Sequence, residues 1–171
     1  MPFTPFHLGP ALVLGIILLS IIDFPTFLIA NIIVDLEPII ILLFNLDLPL
    51  HGFFHSFLGG LVLTLPLFIT MSFIRKYLDP IMEIFKIKQK ISYSKILFAS
   101  ILGSSLHILL DSMIYVDMKP FYPLNSNNLL FLFGPNTYTY IIVFCVLSFS
   151  LFFLIYIIKV IKSKKYGKES R

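Results

Sequence analysis

The sequence predicts an all-α polytopic membrane protein, a bundle of about five transmembrane helices forming one domain (1–162) and ending in a short basic tail (163–171). Three observations predict it. Hydrophobic residues make up 58% of the chain and charged residues 13%, with a mean hydropathy of +0.96, far from the composition of ordinary soluble domains. The apolar residues gather into runs at roughly 6–23, 24–46, 52–74, 95–115 and 138–160, each near the ~20 residues that carry a helix across about 30 Å of hydrocarbon. Lysine and arginine are confined to a few places between and after these runs.

The first run lacks the basic leader of a cleavable signal peptide and opens on Thr4-Pro5, a helix cap followed by a first-turn proline, so it is expected to stay as a helix. Asp23-Phe24-Pro25 and Asn45-Leu46-Asp47-Leu48-Pro49 read as turns on either side of segment two. Within that segment, Val34-Asp35-Leu36-Glu37-Pro38 places two carboxylates in apolar sequence. On a regular helix residues two apart diverge by about 200°, whereas in an extended stretch they share a face. Pro38 disfavours helix at Glu37 and removes a backbone donor. Segment two is therefore expected to break near Asp35–Pro38, with both carboxylates facing one cavity and Asn31, one turn earlier, within reach of Asp35. Segment three opens on His51-Gly-Phe-Phe-His55, Asp79-Pro80 opens a more polar connection, and segment four carries His107-Ile-Leu-Leu-Asp111. Cys145, the only cysteine, lies in segment five, which leaves neither a disulfide framework nor a thiolate zinc site.

Charge orients the bundle. Arg75, Lys76, Lys86, Lys88, Lys90 and Lys95 bracket the connection between segments three and four; Lys159, Lys162, Lys164, Lys165, Lys168 and Arg171 end the chain. Positive residues in short loops stay on the cytoplasmic side. Five spans then put the N-terminus outside, the C-terminus in the cytoplasm, and the 45–51 turn and 116–137 loop outside. The tail reads as a topology signal of a plasma-membrane protein rather than a nucleic-acid site. In that arrangement His7, Asp35, Glu37, His51, His55, His107 and Asp111 all come to one layer towards the outer leaflet. Ionisable groups cost several kcal/mol at membrane depth and persist there when paired, hydrated or bound to metal. Each of the seven is a candidate metal ligand. His51/His55 and His107/Asp111 are spaced i, i+4, which on a helix places both members on one face.

Nitrogen and oxygen donors without thiolate suit Zn²⁺, with Mn²⁺ or Fe²⁺ as alternatives, and the number of donors allows one or two ions. Glu37 and Asp111 are in addition candidate catalytic carboxylates. Ser56, Lys119 and Tyr122, at the start of segment three and in the 116–137 loop, are candidate substrate contacts. That loop, with Tyr115, Asp117 and Asn125, is expected to cover the outer mouth of the site.

These motifs resemble the YdjM-like family of inner-membrane metal-dependent hydrolases. The resemblance runs through an early histidine (His7), an acidic pair before proline (Asp35, Glu37, Pro38), a His-Ser at a helix start (His55, Ser56), and Leu106 to Asp111 followed by a proline-rich stretch from Asp117 to Pro123. The opening Met-Pro-Phe-Thr-Pro-Phe-His-Leu-Gly-Pro looks like archaeal members. The chain departs from bacterial relatives in having Asp35-Leu-Glu37 for Asp-x-Asp, and His51-Gly-Phe-Phe-His55 for a longer motif that also contains Arg and Thr. The resemblance implies hydrolysis of a membrane lipid or lipid phosphate by metal-activated water. The alternatives are a non-enzymatic metal or proton transporter and, more remotely, an intramembrane metalloprotease. The latter is disfavoured because the His-Glu-x-x-His of that class is absent: position 52 is glycine.

Overall fold

The computed structural model describes residues 5–169, with side chains described over 6–161. Thr4 and the side chains of the 163–171 tail lie outside the described residues. All regular structure among those residues is helical: α1 (Pro5–Ile17), α2 (Phe24–Ile33), α3 (Leu36–Leu43), α4 (Phe57–Ile74), α5 (Asp79–Ile84), α6 (Tyr93–Ser112) and α7 (Thr137–Glu169). Four helical stretches are long and apolar enough to cross a membrane: Phe24–Leu43, Phe57–Ile84, Tyr93–Ser112 and Thr137–Ile161. The first expected span is shorter. α1 has 13 residues, about 20 Å of helix, although i to i−4 bonds from Leu18 to Leu14 and from Ile22 to Leu18 carry the helical path further.

The outer surface is as apolar as the core. Ile84, Phe73, Leu43 and Val116 are each more than 70% exposed, and only 17% of the most hydrophobic window of α7 is buried. In water such a surface would be a large aggregation liability; in lipid it is the expected coat.

Segment two is interrupted at Val34–Asp35, but not as an extended stretch. The Asp35 N–H donates to Ile32 O and the Glu37 N–H to Val34 O, the i to i−3 pattern of a 3₁₀ turn. Pro38 explains it: lacking an N–H, it cannot serve the Val34 carbonyl, which Glu37 takes instead. α3 then ends in a Schellman cap, with Asn45 at φ 48° and the Leu46 N–H donating to Ile41 O. The third segment also differs from expectation. Its helix begins at Phe57, after one 3₁₀ turn (Phe53–His55), and Asp79-Pro80 opens α5 instead of a loop.

The helices dock through small residues. A Cβ at Gly103 of α6 would stand 2.6 Å from Ala30 Cβ, and one at Gly60 of α4 would strike Ile108; only glycine lets the backbones close to this distance. α2 and α6 run parallel, the Asp23 N–H donating to Lys95 O at one end and Asn31 Nδ2 to Gly103 O further along. α1 and α4 run the other way. The C-terminal ends of α2 and α6 therefore meet the N-terminal ends of α1 and α4.

The opposite end is closed by ionic contacts that the loop reading of Arg75 did not anticipate. Arg75 is fully buried; its Nε donates to Asp23 and its Nη1 to Asp79 at 2.7 Å. Asp23 also caps α2, accepting from the N–H and hydroxyl of Thr26. Beside it Gln89 accepts from the Phe24 N–H and donates to Leu19 O and Ile22 O. Removing one partner from such a pair strands the other in a low dielectric. Arg75→Met is expected to lower stability by about 3–5 kcal/mol, read as reduced resistance to denaturant in detergent-solubilised protein.

Candidate metal centre

Four side chains converge where the ends of α2, α4 and α6 meet. Asp35 comes from the 3₁₀ turn after α2, His55 from the turn before α4, and His107 and Asp111 from the last turns of α6. Each offers a ligand atom within 4.8 Å of those of the others. His107 and Asp111 share a helix face, as their spacing predicts. His107 Nε2 stands 3.1 Å from Asp111 Oδ2 and 3.4 Å from Asp35 Oδ1, and His55 Nε2 is 3.9 Å from the same Asp35 oxygen. His7, in the first turn of α1, approaches from the other side with Nε2 3.1 Å from Asp111 Oδ1, its ring edge-on to His107 at 4.7 Å.

What sets this cluster apart from a hydrogen-bonded core is how its nitrogens are left. His55 Nε2 and His107 Nε2 are buried without a hydrogen-bond partner, and so is Asp111 Oδ1. Buried polar atoms are nearly always satisfied. Two imidazole nitrogens facing two carboxylates at 3.1–3.9 Å are nitrogen and oxygen donors of the kind that bind divalent metals, and the cluster could hold a metal ion.

Glu37 explains the aim of His55. The imidazole Nδ1 donates to Glu37 Oε2 at 2.8 Å, while Glu37 Oε1 accepts from the Phe54 N–H at 3.3 Å. A carboxylate only accepts, so it fixes the proton on Nδ1 and leaves the Nε2 lone pair to the cluster, the arrangement by which carboxylates orient metal-binding histidines. The two carboxylates share a target as expected, but they reach it from opposite sides of one ring.

No family model, curated protein or solved structure matches the chain. The assignment of residues therefore rests on the geometry. His51 stands outside the four-residue group. Pro49 and Gly52 keep its stretch from being helical, so the i, i+4 spacing to His55 does not produce a shared helix face. Its Nδ1 donates to both oxygens of Asp117, at 2.9 and 3.0 Å, its ring stacks on Tyr115 at 4.0 Å, and it meets His55 edge-on at 5.0 Å. Ser56 acts as the N-cap of α4: it accepts from the Gly59 N–H and donates to Phe53 O, so both sides of its hydroxyl are engaged internally. Asn31 does not reach Asp35 through its amide nitrogen, which donates to Gly103 O. Lys119 and Tyr122 line a cleft of about 400 Å³ together with His51, Gly52, Phe53 and Asp117. Asn125 is exposed. Asp117, read from the sequence only as part of the loop expected to cover the mouth of the site, is the partner of His51; its signal was that it is the one carboxylate in that loop.

Purified protein is expected to lose its bound metal in His55→Ala, His107→Ala and Asp35→Ala and to keep it in His51→Ala, measured by elemental analysis. Glu37→Gln keeps the fold and weakens metal affinity about 10–100-fold, the usual cost of losing an orienting carboxylate.

Proposed function

We propose that the protein is a membrane-embedded metal-dependent hydrolase acting on a lipid or lipid-phosphate substrate. The observation that carries the reading is the convergence of the His55 and His107 imidazoles on the carboxylates of Asp35 and Asp111, with one donor atom of each within 4.8 Å of the others; His51, edge-on to His55, lines a nearby cleft. A divalent transition metal, Zn²⁺ by its preference for nitrogen and oxygen donors, would supply Lewis-acid activation of water and of a phosphoryl or carbonyl oxygen. The chain's own residues do the rest. Glu37 holds His55 at Nδ1, His7 braces Asp111, and the apolar bundle excludes bulk water from the donor set. Lys119 and Tyr122 on the cleft wall meet the polar part of the substrate. The resemblance to YdjM-like hydrolases points the same way, with Glu37 recast as a positioning residue.

We place the site towards the outer leaflet, with α1 and its helical extension as the first of five crossings. The basic residues between α4 and α6 support this, since they lie at the Arg75 end and the histidines at the other. A lipid whose ester or phosphate lies at head-group level reaches such a site from within the membrane.

The second reading, a metal or proton transporter, has one observation in its favour. Buried Asn31, Thr64, Ser100 and Ser104 continue polar groups from the site towards Arg75. The three hydroxyls, however, donate to carbonyls of their own helices, which leaves little for a moving ion. Incubation of purified protein with total lipid extract, read by mass spectrometry, is expected to give lipid cleavage that His107→Ala and Asp111→Asn abolish. Metal-dependent ion flux in proteoliposomes without any cleavage product would replace the hydrolase by the transporter.

A further inference from the structure

Asn31 and His107 approach the Gly103 carbonyl of α6 from two directions, and each carries a buried atom that lacks what the other offers. Asn31, fully buried on α2, donates from Nδ2 to Gly103 O at 3.3 Å, while its Oδ1 has no hydrogen-bond partner among the described residues. His107 follows Gly103 by one turn of α6, so its backbone N–H serves the same carbonyl. Its ring is fully buried, and Nδ1 is likewise without a partner among the described residues. Parallel docking keeps the two side chains in step. Asn31 meets Gly103 at one level; Asp35 and His107, each four residues further on, meet at the next, with Asp35 Oδ1 3.4 Å from His107 Nε2. Helix side chains lean towards the N-terminus, which displaces the His107 ring from its own Cα towards the level of the Asn31 amide.

His55 shows what a ring in this position requires. Its Nδ1 donates to Glu37, which leaves Nε2 to the cluster. His107 offers Nε2 to the same cluster, and a ring that does so carries its proton on Nδ1. A buried N–H with no acceptor costs as much as a lost hydrogen bond, and an amide oxygen can only accept. We infer that Asn31 is the positioning residue of His107, its Oδ1 taking the Nδ1–H when the ring offers Nε2 to a cation. The inference rests on the metal-centre reading and supplies His107 with the counterpart that Glu37 is for His55. One amide then does two things: Nδ2 fastens α2 to α6, and Oδ1 aims the imidazole that the fastening brings into place.

Full-length protein in detergent is titrated with Co²⁺ and followed by its visible ligand-field absorption. Asn31→Leu keeps the branched outline and has neither donor nor acceptor; it is expected to weaken binding about 10–100-fold, the usual cost of losing the partner of a metal-binding histidine. Asn31→Asp gives up the amide donor but keeps an acceptor, and is expected to restore binding to at least the wild-type level. Arg75→Met loosens the opposite end of the bundle and is expected to leave Co²⁺ affinity unchanged, which separates ligand orientation from stability. The chain has four histidines, so isotope-labelled histidine gives a simple ring spectrum. In zinc-loaded wild type the His107 Nδ1–H is expected as a slowly exchanging proton in through-space contact with the Asn31 side-chain amide, and this measurement decides if neither Asn31 variant folds. Unchanged affinity in Asn31→Leu, a loss that Asn31→Asp does not restore, an equal loss in Arg75→Met, or a His107 Nδ1–H without contact to Asn31 overturns the inference and leaves the metal centre standing. Wild type that binds no Co²⁺ overturns the metal centre, and the inference with it.

Discussion

Ionisable side chains inside an apolar bundle survive only where something offsets their lost hydration, and this chain meets the requirement at each end in a different way. At one end Arg75 sits between Asp23 and Asp79, a compensated ionic knot that also caps α2 and abuts the Gln89 staple. At the other, Nε2 of His55 and of His107 face the carboxylates of Asp35 and Asp111 at 3.1–3.9 Å, and Glu37 holds His55 from behind. The first arrangement pairs Arg75 Nε and Nη1 with carboxylates and leaves Nη2 without a partner, and the second offers four nitrogen and oxygen donors that could hold a cation.

The parallel docking of α2 on α6 underlies both. Gly103 allows the backbones to approach, and the amide of Asn31 fastens one to the carbonyl of the other. Asp23 is thereby set beside the start of α6, and Asp35 beside His107. A change of one helical turn in that register would move each carboxylate by about 5.4 Å, more than the separations within the cluster. The position of Asp35 is refined by Pro38, whose missing N–H converts one turn to 3₁₀ and lets Glu37, with its longer side chain, reach the far nitrogen of His55.

Gly52 plays a comparable part for the loop. Its lack of a side chain lets the Glu37 carboxylate lie against the chain just before the Phe53–His55 turn. The same position keeps His51 out of a helix, so that His51 turns to Asp117 and Tyr115 and becomes part of the cleft wall.

Much of this was legible in the sequence, and the limits are instructive. The helical membrane class follows from hydropathy, and the pairing of His107 with Asp111 follows from helix periodicity, because both are local properties. The break before Pro38 was legible for the same reason; its form was not, since an extended stretch and a 3₁₀ turn both satisfy a missing N–H, and packing against α4 and α6 chose between them. The spacing of His51 and His55 misled because four residues imply a shared face only where the chain is helical, and Pro49 and Gly52 were the overlooked warning. Arg75 read as a loop charge, although Asp79 four residues later hinted at a pair. By itself the sequence determined the environment and the stock of nitrogen and oxygen donors, for these depend on composition and near neighbours. Only the tertiary structure decided which donors face one another, because that depends on helix register and backbone approach between stretches far apart in the chain.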